Sequence, residues 1–435
     1  MDCWKARKPG RTRYAGVHEW MASNWLVLLF SVPIIHILFL TSFDGEFSDW
    51  QLAARLFFLP TLFLEIGIFI LAVATGLNLL ASLASMKLPV RILLFAWLGV
   101  LVAPLFYPDA VFELATRGAL FWVVHVLFFA AVAHLMSVAR PRPDRISSLI
   151  TILPLAASVA GFSILGFVFF TGVDSDFNWS EGLPGFINLR HTGYIFGPAI
   201  ALGLGHLAAW PNKAPRVHML LLFINTAVML WLGSRGPVLG IMFGFAVCFP
   251  LYPPMRKALF LTRSAMMIGS GALVSVILPI PDNLAFGAIQ RFWTTGAGDR
   301  ITSGRTDLWR ESIQLLSDKP LFGYGAHQYQ FVSELAIGVL KHPHQSILQF
   351  FFDWGLVGGG IFLCLFGMLL CKAFVRSDCN PATKLISALM VSTLIGFSFV
   401  DGVFFYPVTI AINLVFLLWP ITEDSSTAQG KAEKD

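Results

Sequence analysis

Charged residues are scarce in this sequence, and their scarcity excludes most soluble folds. Only 13% of the 435 residues are Asp, Glu, Lys or Arg, whereas 56% are apolar; a soluble domain carries about 25% charged residues. The apolar runs are long and do not alternate as the short strands of a membrane β-barrel do. A helix needs roughly 20 apolar residues to cross a bilayer. The sequence therefore predicts an all-α, polytopic membrane protein.

Cysteines and clustered acids are also few. The five cysteines lie outside the longest polar stretch and have neither a disulfide-framework pattern nor the spacing of a metal site. No outward cluster of Asp or Glu has the spacing of a Mg²⁺ or Mn²⁺ site, so neither a metal nor another cofactor is expected. The formal charge of +5 reflects membrane topology, and no nucleic-acid partner is predicted.

The apolar runs predict about 12 transmembrane helices. The predicted spans are residues 24–42, 56–84, 89–106, 116–138, 147–171, 191–210, 217–233, 236–252, 263–281, 346–372, 383–400 and 403–421. The corresponding regions are a basic segment (1–23), nine spans (24–281), a large loop domain (282–345), three spans (346–421) and a tail (422–435).

The distribution of basic residues predicts which side each segment faces. Two thirds of the 30 Lys and Arg residues fall on alternate segments that include both ends of the sequence. Because positive residues mark the cytoplasmic side, both termini are expected to be cytoplasmic and the block 282–345 is expected to face outward. Trp309, Ile313 and Leu316 recur in this block at helical spacing, which predicts a folded helical domain.

Outward-facing arginines run against this bias and are the first candidates for a site. Arg190 and Arg235 lie at predicted membrane boundaries and Arg305 lies in the outward block 282–345; an arginine at membrane depth is costly unless it is paired or hydrated. A guanidinium stays charged and presents a planar fork of donors that matches phosphate oxygens, so these three predict a diphosphate site. The alternative is contact with lipid phosphates or pairing with an acid such as Asp401. Arg310 is an auxiliary candidate, although a surface position is its simpler interpretation.

Histidines at the end of the block are candidates for a general base. His342 and His344 precede the next span, and an imidazole can take a proton from a sugar hydroxyl near neutral pH. The sequence does not decide which of the two is the base, and an interfacial packing role is the alternative for both. His191, beside Arg190, and the intramembrane Glu65 are auxiliary candidates; Glu65 is expected either to pair with a cation or to carry a proton.

Five short motifs, in order, resemble the O-antigen ligase and polymerase superfamily. They are Gly233-Ser234-Arg235-Gly236, then Ser303-Gly304-Arg305 with Trp309, then Pro320-Leu321-Phe322-Gly323-Tyr324-Gly325, then His344-Gln345-Ser346-Ile347-Leu348, then Trp354-Gly355-Leu356-Val357-Gly358. The resemblance covers roughly residues 190–370, and the hydropathy layout agrees beyond it. One departure is Gln345, where the family commonly has Asn.

The resemblance implies a polysaccharide transferase of the Gram-negative inner membrane with a periplasmic active site. Ligases of this family move O-antigen from undecaprenyl diphosphate to a sugar of the lipid A core. Arg235 and Arg305 would hold the diphosphate, and His344, with His342 as its neighbour or substitute, would deprotonate the acceptor hydroxyl. The reaction would invert the anomeric carbon without a metal, and membrane lipids would surround the donor's tail.

Three other functions remain open on the sequence alone. An O-antigen polymerase or a protein O-oligosaccharyltransferase would use the same donor with another acceptor; the single large outer loop near the C-terminal end favours the ligase. A transporter or lipid flippase with 12 spans would place charges at the bilayer midplane and break helices in both halves. The outward charges are instead concentrated in one loop.

Overall fold

The computed structural model describes residues 24–41, 50–139, 143–172, 183, 185–186, 189–210, 216–281, 286–290, 305–336 and 340–432. The predicted basic segment 1–23 lies outside these residues. The described chain is helical and without a strand, apart from an isolated bridge between Leu183 and Phe186.

The helices follow the apolar runs closely. In chain order they are α1 Val32–Thr41, α2 Trp50–Ala74, α3 Leu79–Ser85, α4 Leu88–Val102, α5 Phe112–Ala139, α6 Pro143–Thr171, α7 Gly193–Ala209, α8 Arg216–Trp231, α9 Gly236–Leu251, α10 Ala258–Ile277, α11 Arg305–Asp318, α12 Tyr329–Val332, α13 Ser346–Leu370, α14 Pro381–Ser398 and α15 Pro407–Ala432. Residues 24–30, before α1, are also helical.

Seven described helices are long and apolar enough to cross a membrane, or eight if one bent pair counts as a single span. The bent pair is formed by 58–74 and α3, which meet at 86°. Three shorter apolar helices, Arg216–Trp231, Gly236–Leu251 and Pro407–Glu423, accompany them. This pattern is that of a multi-pass membrane protein. The number of 12 spans stays a prediction.

The centre of the bundle is formed by α7 and α14. Every residue of α7 from Gly193 to Ala208 is buried, and α14 packs along both α7 and α9. Gly240 and Gly244 of α9 lie against Thr393 of α14, so closely that a Cβ at either position would collide with it. Small residues permit this approach of helix backbones in a membrane, where close packing rather than hydrophobic burial drives association.

A break in α13 joins the membrane helices to the part of the predicted outer domain that is described, residues 305–336. Gly355 has a φ of +63° and interrupts the helix, leaving backbone groups without helical partners. The turn from Pro320 to Gly325 supplies partners: the Tyr324 N–H donates to the Phe352 carbonyl at 2.9 Å, and the Leu356 N–H donates to the Pro320 carbonyl at 2.7 Å. Two of the five sequence motifs therefore meet at one structural joint.

The last helix, α15, continues to Ala432. It thus passes the predicted end of the final span at residue 421 and takes in most of the predicted tail 422–435.

Candidate active site

The site is organised around a histidine and a carboxylate that lie far apart in the sequence. His344 precedes α13, and Asp401 lies in the short connection between α14 and α15. His344 Nδ1 lies 2.9 Å from Asp401 Oδ1, and the backbone N–H of Gly402 donates to the same oxygen at 2.8 Å. The His344 and Asp401 side chains are 17% and 6% exposed, so the pair is sheltered but open on the histidine side.

This geometry fixes which nitrogen of His344 can act as a base. Burial alone would raise the pKa of Asp401, but the hydrogen bond from His344 and the charges of His344 and Arg305 hold it well below its usual range. An ionised carboxylate can only accept, so His344 must donate from Nδ1. In the neutral ring Nε2 then carries the lone pair and can take a proton from a substrate.

His342 is placed as a support for His344. It is 2% exposed, and its Nδ1 accepts a hydrogen bond of 3.1 Å from the backbone N–H of His344. His344 has a φ of +54°, and His327 is the other described non-glycine residue with a positive φ. Left-handed backbone at such residues costs of order 1 kcal/mol or more and clusters at functional sites. The His342 ring therefore stabilises the backbone of the candidate base.

The three candidate arginines converge beside this pair. The hydroxyl groups of Thr192 and Ser234 lie 3.3 Å apart. Thr192 is two residues after Arg190, and Ser234 directly precedes Arg235, so this contact brings the two arginine segments together. Burial is the main cause that lowers the pKa of Arg235, and the charges of Arg305 and then Arg190 lower it further. Such mutual repulsion between guanidinium groups is relieved by an anion, so the cluster is suited to a diphosphate.

Arg305 also contacts the candidate base pair. Its Nη2 lies 3.8 Å from Asp401 Oδ2, with the Arg305 side chain 20% exposed. Arg305 therefore pairs with Asp401, which was the predicted alternative to a phosphate-binding role. The distance between the two side chains is long, however, so N–H groups of Arg305 are left to bind a substrate. One turn along α11, the Trp309 indole N–H donates to the Pro343 carbonyl at 3.0 Å. This bond fastens the arginine helix to the turn that bears His342 and His344.

The departure from the family pattern at Gln345 has a structural explanation. Gln345 is the N-cap of α13, and its side-chain oxygen accepts from the backbone N–H of Leu348. Asn and Gln both offer this amide oxygen to the first turn of a helix. Ser346 follows and donates from Oγ to the Asp401 carbonyl at 3.2 Å, which ties the two ends of the site together.

A metal does not fit this site well. Possible ligand atoms of His342, His344 and Asp401 lie within 4.8 Å of one another. However, His342 Nδ1 already accepts the His344 N–H, and the Asp401 charge is already partnered by His344 and Arg305. A divalent cation would have to displace these contacts and would be repelled by the neighbouring guanidinium group. The donor set is better suited to proton transfer.

The auxiliary candidates are placed in three different environments. His191 is near the base, because the Tyr406 hydroxyl lies 3.0 Å from its Nε2. Arg310 lies on an exposed face of α11, with Nη1 2.9 Å from Asp307 Oδ1. Glu65 is fully buried between α2 and α5, 2.7 Å from His125 Nδ1. Of these, only His191 is shown in contact with the residues around His344.

Sequence reasoning missed two residues of the site. Asp401 was considered only as an acid that could pair with an arginine, and Tyr406 was not considered. Asp401 lies in the connection between two predicted spans, 383–400 and 403–421, which the alternation of sides places outward, whereas Tyr406 falls inside the predicted span 403–421. An acid in so short an outward connection was the available signal for Asp401; no comparable signal marked Tyr406.

Comparison with known proteins bears on the same region. Residues 220–363 match the family model described as O-antigen ligase. This range includes Arg235, Arg305, His342 and His344, whereas Arg190 and Asp401 lie outside it.

One curated relative is the exopolysaccharide production protein ExoQ of Rhizobium meliloti (strain 1021), 27% identical over 197 residues. The match covers 42% of this chain and 42% of the relative, so the chain spans less than half the length of that protein.

These matches confirm the resemblance that the motifs carry. Over residues 220–363, this chain is similar to the O-antigen ligase family.

Proposed function

We propose that this protein transfers a polysaccharide from undecaprenyl diphosphate to a sugar hydroxyl, with His344 as the general base. The observation that carries the proposal is the His344–Asp401 contact of 2.9 Å beside Arg305. A base oriented by an ionised acid, next to a group of arginines, matches the two requirements of this reaction. The first is proton removal from an acceptor, and the second is stabilisation of a departing diphosphate.

The proposed step is a single displacement at the anomeric carbon of the donor. The acceptor oxygen forms a bond to this carbon while the bond between the carbon and the diphosphate oxygen breaks. The acceptor's proton passes to His344 Nε2, and undecaprenyl diphosphate leaves with the bonding electron pair. Attack from the face opposite the diphosphate inverts the configuration of the carbon.

Asp401 stabilises the group that takes the proton, whereas the arginines stabilise the leaving group. Asp401 accepts from His344 Nδ1, so it stabilises the imidazolium that forms when Nε2 takes the proton. Arg305, Arg235 and Arg190 hold the diphosphate oxygens and stabilise their growing charge. His342 orients His344 and is not itself the base. Because the arginines supply the positive charge, the reaction is expected to need no metal.

The proposed acceptor is a sugar of the lipid A core, at the periplasmic face of a Gram-negative inner membrane. This assignment rests on the description of the matched family as O-antigen ligase. A polymerase, which adds the glycan to another lipid-linked chain, is the second candidate. The relative that is named as an exopolysaccharide production protein favours it.

The test is a transfer assay with purified protein, undecaprenyl-diphosphate-linked glycan and either lipid A–core or a second lipid-linked glycan as acceptor. EDTA is present throughout, and the anomeric configuration of the product is read by NMR. We expect product in EDTA, with inverted configuration, from the wild type but not from His344→Ala.

The products separate the two functions. Glycan-modified lipid A–core supports the ligase, whereas a lengthened lipid-linked glycan supports the polymerase. Retained configuration, or activity lost in EDTA and restored by a divalent cation, would contradict the proposed mechanism.

A further inference from the structure

A hydrogen-bonded relay passes through Tyr406 from the base to the arginine side of the site. The Tyr406 hydroxyl lies 3.2 Å from His342 Nε2 and 3.0 Å from His191 Nε2. Tyr406 is 5% exposed and His342 is 2% exposed, so this part of the relay is shielded from solvent. His191 directly follows Arg190 before α7, whereas His342 belongs to the turn before α13. One hydroxyl thus connects two separate elements of the site.

The directions of the two hydrogen bonds of His342 follow from the backbone. The His344 N–H can only donate, so His342 Nδ1 accepts. Burial, and next the charge of His344, hold the pKa of His342 well below its ordinary value, so its ring is neutral and has one proton. That proton must be on Nε2 and is donated to the Tyr406 oxygen. The Tyr406 hydroxyl also pairs with His191 Nε2 at 3.0 Å, where the tautomer of His191 decides which group donates.

We propose that Tyr406 is a positioning residue that fixes the tautomer and orientation of His342, and through it the backbone of the base His344. This inference rests on the proposed function of His344. Tyr406 does not reach the substrate in this account. It gives the His342 Nε2–H a buried acceptor, which keeps Nδ1 available for the His344 N–H.

The surroundings of His342 leave few other arrangements for its ring. Gly402 packs directly against it, so closely that a Cβ at position 402 would collide with the imidazole. The rings of Phe405 and His344 lie on it at centroid distances of 5.0 and 4.4 Å. Without the Tyr406 oxygen, the proton on Nε2 would be buried among these groups without the acceptor it has now, an unfavourable state that a turned or shifted ring would relieve.

The relay also links the two halves of the proposed reaction. His191 stands beside Arg190 of the diphosphate cluster, and His342 stands beside the base. By bonding to both, Tyr406 sets the separation between the leaving group and the group that takes the proton. A misplacement of about 1 Å between reacting groups is enough to cost about 10²-fold in rate.

The test compares Tyr406→Phe with Tyr329→Phe. Tyr406→Phe keeps the ring and removes only the hydroxyl. Tyr329 is 1% exposed and its hydroxyl lies 3.1 Å from Ser312 Oγ in the outer domain, so Tyr329→Phe removes a buried hydroxyl outside the relay. We expect Tyr406→Phe to lower kcat about 10- to 100-fold with little change in donor KM, and Tyr329→Phe to leave kcat unchanged.

A second readout follows the His342 ring itself. The ten histidines of the protein can be labelled with ¹⁵N, and the signals of His342 identified by their loss in His342→Gln. We expect one tautomer, protonated at Nε2, in the wild type, and a shifted or mixed signal in Tyr406→Phe. His191→Gln, which retains an amide that can either donate to Tyr406 or accept from it, should keep more activity than His191→Phe.

The outcomes separate this inference from the proposed function. Wild-type kcat and an unchanged His342 signal in Tyr406→Phe would overturn the role of Tyr406, as would an equal loss of kcat in Tyr329→Phe. If the wild type transfers no glycan, the proposed function fails. The His342 signals then still decide whether Tyr406 fixes this ring.

Discussion

Two histidine–carboxylate pairs occur in the described part of the chain, and only one of them is placed for chemistry. His344 and Asp401, called the outer pair here, meet at 2.9 Å at one end of the bundle, with the histidine 17% exposed. His125 and Glu65 meet at 2.7 Å between α5 and α2, with side chains 2% and 0% exposed. The inner pair is close but not aligned as a hydrogen bond.

The surroundings of the two pairs differ more than their chemistry does. The outer pair has Arg305 at 3.8 Å. The inner pair is enclosed by aromatic rings, with Phe121 4.3 Å and Trp122 5.6 Å from the His125 ring. A substrate can reach the first pair but not the second. Residue type alone therefore does not identify a catalytic pair, whereas access and a neighbouring positive charge do.

The largest expected difference is between the two histidines. His344→Gln should lower the transfer rate about 10²–10⁴-fold, because it removes the general base. His125→Gln should retain most of the kcat of the folded protein. It should nevertheless lower the free energy of unfolding by ~3–5 kcal/mol, since Glu65 loses its buried partner. Transfer kinetics and thermal unfolding in detergent measure the two effects; a wild-type rate in His344→Gln would contradict the assignment.

A smaller difference is expected between the two acids. Asp401→Asn replaces a carboxylate with an amide that can also donate towards His344, so the imidazolium loses its counter-charge and kcat should fall on the order of 10²-fold. Glu65→Gln should change kcat by less than about 3-fold, because Glu65 has no route to substrate in this account. Equal losses in both variants, measured in the same assay, would remove the distinction between the pairs.

The arginine that accompanies the outer pair gives a third test. Arg305→Lys keeps the charge but loses the planar fork, so donor KM should rise about 10-fold. Arg310→Lys is the matched control, because Arg310 lies on the exposed face of the same helix and its side chain is 71% exposed. A rise in KM of the same size in both variants would show that α11 contributes general positive charge and not a diphosphate site.

The smallest effect concerns the stability of the protein in acid and arises from His342, which supports the outer pair. The pKa of His342 is lowered in the folded protein by burial, so the unfolded chain binds a proton more readily. The stability that His342 contributes is therefore present above its unfolded value near pH 6.5 and is lost as pH falls towards the folded value. The unfolding temperature of the wild type should fall by a few degrees between pH 7 and pH 5.

The control for this pH effect is His342→Gln, which has no ionisable group at this position. Its unfolding temperature should change less over the same range than that of the wild type. An identical slope in the two proteins would show that the acid sensitivity arises elsewhere.

Much of the bundle could be predicted from sequence, because apolar runs determine where helices form. Every predicted span corresponds to a described helix. The bend of 86° before α3 and the break at Gly355 were not predicted, since the hydropathy continues through both. The break is specified by its partner, the turn 320–325, whose backbone satisfies the interrupted helix.

The site was predicted in part for a similar reason. Arg235 and His344 lie at predicted membrane boundaries, where a charged or polar residue is conspicuous, and Arg305 lies in the predicted outward block 282–345, where a basic residue runs against the topological bias. The role of Asp401 could not be read from spacing, because it lies far along the chain from His344 and meets it only through the packing of α13, α14 and α15. The order of the two histidines was also left open; it depends on which ring is buried and on the backbone N–H of His344.

The most direct test of the account is a double-mutant cycle on kcat with His344→Gln, Asp401→Asn and the two changes combined. If Asp401 acts through His344, the double variant should be no slower than His344→Gln within about 3-fold, because the effects of residues that work as a unit do not multiply. If the two losses multiply instead, Asp401 acts independently of His344, and the oriented-base mechanism proposed for this protein is wrong.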